Sequence, residues 1–192
     1  FGPQVVPDIY KVKLIIGKDE YVRKLTVLKD PASEGTLESI KEQVAFSLEL
    51  RDAINIAVTL INDLETLRAE LNEVLPSLIR ENDIQRATEL RKMAESISGS
   101  LYDIHLTGAR EDAFRSPMKL YGRLSALASD IGANGADFKP TDQQREVYAI
   151  FNKRLENVNE KFKKFMKVDV KQLNSQLKKS KYQILLDRKI KS

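Results

Sequence analysis

The chain contains no cysteine and a single histidine, His105. The first absence excludes disulfides, thiolate nucleophiles and cysteine-ligated metals, and leaves the redox compartment unassigned. The second excludes any zinc site built on two or three histidines. Glycine (8) and proline (6) are scarce over 192 residues, as expected where long helices dominate. No run of 18 apolar residues occurs, so no transmembrane helix is expected. Neither G-x-x-x-x-G-K-[ST] nor G-x-G-x-x-G is present, which removes the usual phosphate-cradling loops. The chain opens on Phe1 without a charged and then apolar leader, so the expectation is a fragment of a longer protein.

What is present is an ordinary, slightly charge-rich globular composition, 42% hydrophobic and 31% charged, long enough to bury a core without staples. The net charge of +4 conceals an asymmetry. Residues 161–192 hold eleven Lys/Arg against two Asp/Glu, a net of +9; the other 160 residues hold 21 against 26, a net of −5. A basic end therefore follows a mildly acidic body.

Hydrophobic periodicity divides the chain. Between residues 8 and 28 it alternates: Tyr10, Val12, Leu14 and Ile16 share one face, Lys11 and Lys13 the other, and after Gly17-Lys18-Asp19-Glu20 the alternation resumes with Tyr21, Arg23, Leu25 and Val27. This predicts a β-hairpin ended by Lys29-Asp30-Pro31. A lone hairpin is marginal in water, so it must pack on the helices that follow or on a sheet elsewhere in a longer protein.

From Thr36 the period becomes about 3.5. Leu50, Ile54, Ala57, Ile61, Leu64, Leu71 and Leu75 follow a 4–3 spacing that only Arg68 interrupts. One helix is expected from 36 to 75, about 60 Å long, stopped by Pro76, with Ile61 buried at its centre. A second stripe runs Ile84, Ala87, Leu90, Ala94, Ile97, Leu101 and Ile104, with Asn82 as N-cap and Gln85 three residues on. A third helix is expected to start at Ser116-Pro117, continue through Leu120, Leu124, Leu127 and Ile131, and end at Gly132-Ala133-Asn134-Gly135. A fourth is capped by Thr141 and Gln144 and carries Val147, Phe151, Leu155, Val158, Phe162 and Phe165. A short fifth is expected after Asp169, with Val170, Leu173 and Leu177 inward. The expected fold is mainly α: an antiparallel up-and-down bundle of about four helices preceded by a β-hairpin. The expected division is 1–31 hairpin, 36–180 bundle and 181–192 basic tail.

No residue set forms a catalytic, cofactor-binding or metal-binding constellation. His105 neighbours the polar loop Thr107–Asp112, but no nucleophile motif accompanies it, and a histidine at a helix C-terminus is favoured by the dipole. Glu34 with Glu38, and Glu111 with Asp112, are paired acids of the kind chance supplies among 28; glycosidase chemistry needs two acids facing across a cleft, one desolvated. The basic run from Lys178 to Lys191 has only Tyr182 as an aromatic, and no nucleic-acid recognition fold surrounds it. Phe151, Phe162 and Phe165 fit a packed stripe. No cofactor, nucleic acid or membrane insertion is expected.

Three segments carry a resemblance. Phe1-Gly2-Pro3-Gln4-Val5-Val6-Pro7-Asp8-Ile9-Tyr10-Lys11-Val12 resembles the G-P-x-V-x-P-G-x-Y-x-V strand of an Ig-like domain, and Thr26-Val27-Leu28-Lys29-Asp30-Pro31 resembles its T-V-x-x-D-P-R ending. Arg110-Glu111-Asp112-Ala113-Phe114-Arg115-Ser116-Pro117-Met118-Lys119-Leu120-Tyr121 is similar to E-D-x-L-R-x-P-M-K-L-Y, and Ala136-Asp137-Phe138-Lys139-Pro140-Thr141-Asp142-Gln143-Gln144-Arg145-Glu146-Val147-Tyr148 to A-D-x-x-P-T-x-Q-x-x-E-V-Y. Asp8, Ala32 and Phe114 depart from the pattern's Gly, Arg and Leu. Together the segments resemble the C-terminal region of bacterial sortilin-like, BNR-repeat β-propeller proteins often labelled glycosyl hydrolases.

The resemblance implies a secreted, periplasmic or envelope protein whose propeller would carry any sugar chemistry. It implies that this chain is a non-catalytic accessory domain in intramolecular contact with propeller and Ig-like domains. The alternative expectation is a helical module that binds a protein partner or self-associates.

Overall fold

In the computed structural model, residues 3–106, 116–131 and 137–179 are described. Strands β1 (Ile9–Ile16) and β2 (Asp19–Thr26) are followed by helices α1 (Leu37–Val74), α2 (Glu81–Leu101), α3 (Leu120–Asp130), α4 (Asp142–Phe165) and α5 (Lys171–Lys179). The protein is mainly α, a helical bundle preceded by an antiparallel hairpin, and β1 and β2 are the only strands among the described residues. Contacts gather the chain into two units: residues 1–52 with 126–148, and residues 53–125 with 149–192.

In the first unit, β1 and β2 pair in antiparallel register from Ile9 with Thr26 to Ile16 with Asp19. The turn is two residues, Gly17-Lys18, and Gly17 has φ +61°, a conformation open to glycine at little cost. Thr36 caps α1: its Oγ1 accepts from the Ser39 N–H at 3.1 Å and its carbonyl from the Ile40 N–H at 3.0 Å. The start of α4 carries the expected capping box. The Thr141 N–H donates to Gln144 Oε1 at 2.9 Å and the Gln144 N–H to Thr141 Oγ1 at 3.2 Å. Here α1 and α4 run side by side in the same direction. Buried Phe46 meets the Tyr148 ring edge-on at 5.2 Å, with the Arg145 guanidinium 5.3 Å from its centroid. Arg145 also pairs with Glu42 at 3.1 Å. Gln43, polar and buried, donates to the Phe138 carbonyl at 3.1 Å. Gly35 lies against Asp137 so closely that a β-carbon would clash with its backbone.

The second unit is a coiled-coil-like packing. The buried residues of α1 there are Ala53, Ala57, Leu60, Leu64, Leu67, Leu71 and Val74, spaced 4 and 3. The expected stripe is thus half right. Leu50, Ala57, Leu64 and Leu71 are buried, but Ile54, Ile61 and Leu75 are only half-buried, and the seam turns instead towards Ala53, Leu60, Leu67 and Val74. Ile61 in particular lines an open cleft with Glu65, Arg68 and Tyr102.

Pro76 ends α1 as expected, through a 3₁₀ turn over Leu75–Ser77. α2 then returns antiparallel. Its N-cap is extended Arg80, two residues before the expected Asn82, and it makes no side-chain cap. Instead the Arg80 guanidinium holds the buried Asp83 carboxylate at 2.8 Å in the first turn, where a negative charge suits the helix dipole. Ala87, Leu90, Ala94, Ser98 and Leu101 face inward; Ile97 is half-buried, and Ile104 lies beyond the helix end.

α3 starts later than expected, because Ser116 does not cap it. The Ser116 hydroxyl is bound by the Asp103 carboxylate, and the first helical bond runs from the Arg123 N–H to the Lys119 carbonyl at 3.0 Å. Leu120 and Leu124 are buried, Leu127 and Ile131 half-buried. The expected stop at residues 132–135 lies outside the described residues, as do the polar loop 107–112, the second resembling segment up to residue 115 and the 181–192 tail.

On α4, Leu155, Val158, Phe162 and Phe165 are buried as expected; Phe151 is half-buried and Val147 exposed. The fifth helix is not separate. Phe165 and Lys171 both keep right-handed helical backbone, and a π turn over Met166–Val170 joins α4 to α5 without a break. A strict 4–3 pattern continued from Phe162 and Phe165 would bury residue 169, yet the buried residues are Val170, Leu173 and Leu177. The π turn absorbs that one-residue slip. Arg86 of α2 pairs with Asp169 of the π turn at 2.9 Å and donates to Gln172 at 3.3 Å, fixing the antiparallel crossing of α2 on this run.

Candidate functional site

The titratable groups singled out in the sequence stand apart. His105 is exposed, and its backbone N–H donates to Asp103 Oδ1 at 3.0 Å. That bond, then the Ser116 hydroxyl, holds the Asp103 carboxyl below its usual range against a small desolvation effect. Glu34 and Glu38 are both exposed; Glu111 and Asp112 lie outside the described residues. Among the described residues no three His, Asp or Glu side chains gather as a metal site would require. Phe162 and Phe165 belong to the core. Lys178 and Lys179 sit exposed in the last turn of α5.

The feature that breaks the ordinary pattern is the hairpin. Pairing places Tyr10, Val12, Leu14 and Ile16 on one face with Leu25, Arg23, Tyr21 and Asp19. On that face Val12, Leu14, Ile16, Tyr21 and Leu25 are 49–60% exposed. The opposite face holds Ile9, Ile15 and Val22, also exposed, among Lys11, Lys13, Lys24 and Glu20. Lys13 and Glu20 form a surface pair at 2.7 Å. Only Tyr10 is half-buried, its hydroxyl donating to the Val6 carbonyl at 2.6 Å. Among the described residues, both faces of the hairpin are thus largely exposed.

Family models, curated proteins and solved structures contain no match to this chain. The geometry therefore stands alone. Among the described residues it offers a two-stranded ribbon with no third strand on either edge and one dominantly apolar face. Three lysines on the mixed face discourage indiscriminate strand pairing. The other face carries charge only at Arg23 and Asp19, and its apolar side chains are suited to stacking against another sheet.

Proposed function

We propose that this chain is a non-catalytic accessory or structural domain of a larger secreted or cell-envelope protein, and that its hairpin completes a neighbouring Ig-like β-domain. The parent would be of the sortilin-like, BNR-repeat β-propeller type, sometimes labelled glycosyl hydrolase. The observation that carries the docking role is the uncovered apolar face of the hairpin: Val12, Leu14, Ile16, Tyr21 and Leu25. The parent type rests on the three resembling segments.

Magnitudes favour a neighbour on the same chain over a free partner. Each of the five side chains is already about half-exposed, so covering it gains about 1 kcal/mol, roughly 5 kcal/mol in all. A free partner must offset about 4–15 kcal/mol of lost translational and rotational freedom. A tethered domain meets the face at high effective concentration and loses far less. Self-association through the same face is the second reading, favoured by the two unpaired edges, and would be weak by this arithmetic.

The test is a chain extended upstream by one domain. Its thermal midpoint should rise and its self-association in sedimentation should fall. Val12→Lys with Leu14→Lys should lower the midpoint of the extended chain and leave that of the shorter one nearly unchanged. Equal stability and an unchanged oligomeric state in the longer chain would refute the docking role. The chain alone should not hydrolyse glycosides; turnover abolished by mutating a single acid would refute the non-catalytic reading.

A further inference from the structure

α3 is approached through Pro117-Met118-Lys119, opposite a stretch of α4 on which Arg154, Val158 and Lys161 share one face at i, i+4 and i+7. Between them lies a cleft of about 420 Å³. Its floor is apolar, formed by buried Leu120 and Val158. Met118 folds down over Gly122, where a β-carbon would stand 2.7 Å from Met118 Cγ, so a larger residue there would push this wall aside.

The rim is cationic. Lys119 and Arg123 come from one side, Arg154 and Lys161 from the other, and among the described residues no carboxylate lines the cleft. Three of these cations belong to the 160-residue stretch whose net charge is −5, so their convergence runs against the local composition. Arg154 and Lys161 form no ion pair among the described residues. Asp103, which feels Lys119 only weakly, is held by the His105 N–H and the Ser116 hydroxyl. Like charges facing one another across two helices repel unless an anion lies between them.

Two further features point the same way. Arg123 Nε donates to the Met118 carbonyl at 2.7 Å, which fixes the guanidinium plane at the rim and leaves its outer N–H groups for another acceptor. Lys119, the residue preceding α3, has no side-chain acceptor for the first-turn N–H groups, so the positive end of the helix dipole adds to the same field.

We propose that this cleft binds a compact anion carrying two or more negative charges on phosphoryl oxygens. Tetrahedral phosphoryl groups present oxygens in several directions and can accept from donors on both helices at once. A single planar carboxylate is satisfied by one arginine fork.

The probe is pyrophosphate, titrated calorimetrically at fixed ionic strength. One saturable site is expected, weakening as salt rises. Arg154→Gln with Lys161→Gln removes two charge-assisted contacts and should weaken binding by about tenfold or more. Gln is a good helix former, and an unchanged helical circular dichroism spectrum would show the variant folded. Lys92→Gln, exposed on α2 outside the cleft, should bind as the parent does. Vesicles with a phosphomonoester headgroup, run in parallel, separate a lipid source from a soluble one. Retention abolished by the double variant supports the cleft with its anion on a lipid. Saturable binding to neither probe, or equal losses in the double variant and Lys92→Gln, would overturn the proposal.

Discussion

Replacing Leu64 or Ile61 by alanine distinguishes the two faces of α1. Leu64 is fully buried in the seam, whereas Ile61, three residues earlier, is half-buried at the wall of an open cleft. Leu64→Ala loses the transfer free energy of the removed methyl groups and leaves a cavity, at a cost of about 2–5 kcal/mol. Against a total of roughly 5–15 kcal/mol, that is a large displacement of the denaturation midpoint. Ile61→Ala opens no closed cavity, because the site already meets solvent, and removes only a partly buried surface, about 1 kcal/mol. Lys178→Ala, exposed in the last turn of α5, should stay within about 0.5 kcal/mol. Urea titrations followed by circular dichroism, compared at equal denaturant slope, measure all three. An Ile61→Ala variant as damaging as Leu64→Ala would refute the placement of the seam.

Thr141→Ala removes the Oγ1 acceptor of the Gln144 N–H and should cost about 1 kcal/mol, read as a lower thermal midpoint; adding Gln144→Ala also removes the acceptor of the residue-141 N–H and should lower it further. Gly17→Val forces a β-branched residue to φ +61° and should cost about 1–2 kcal/mol, seen as faster amide exchange across residues 9–26 with the helices unaffected. Asp103 has a lowered folded-state pKa, so its contribution is present above the unfolded value of about 3.9 and is lost as the pH falls through the lower folded value. Asp103→Asn should therefore reduce the melting temperature at neutral pH and converge with the parent in acid; a gap that persists unchanged in acid would disprove the linkage.

The period change at Thr36, the hairpin, the stop at Pro76 and the Thr141 cap were all legible, because each depends on neighbours within four residues. The phase of α1 was not. Two 4–3 stripes share Leu50, Ala57, Leu64 and Leu71, and they differ in whether Ala53, Leu60, Leu67 and Val74 or Ile54, Ile61, Arg68 and Leu75 complete the seam. Apolar count barely separates them. Arg68 was the deciding signal: a stripe interrupted by arginine competes with one carrying leucine at the same level. The start of α3 was missed because Ser116 is claimed by Asp103, thirteen positions earlier, a competition that local capping rules do not include. The facing cations of the cleft come from separate helices, and only folding brings them together.

The π turn at Met166–Val170 works as a one-residue spacer. Everything before it is in phase with Phe162 and Phe165, and everything after it is in phase with Leu173 and Leu177. Deleting a single exposed residue such as Lys167 would bring both halves onto one uninterrupted 4–3 frame, and the turn could relax to plain α-helix. A deletion elsewhere in the run would instead rotate every later side chain by about 100° away from its neighbours. This segment is thus the one place along residues 142–179 where the chain can change length without changing which residues it buries.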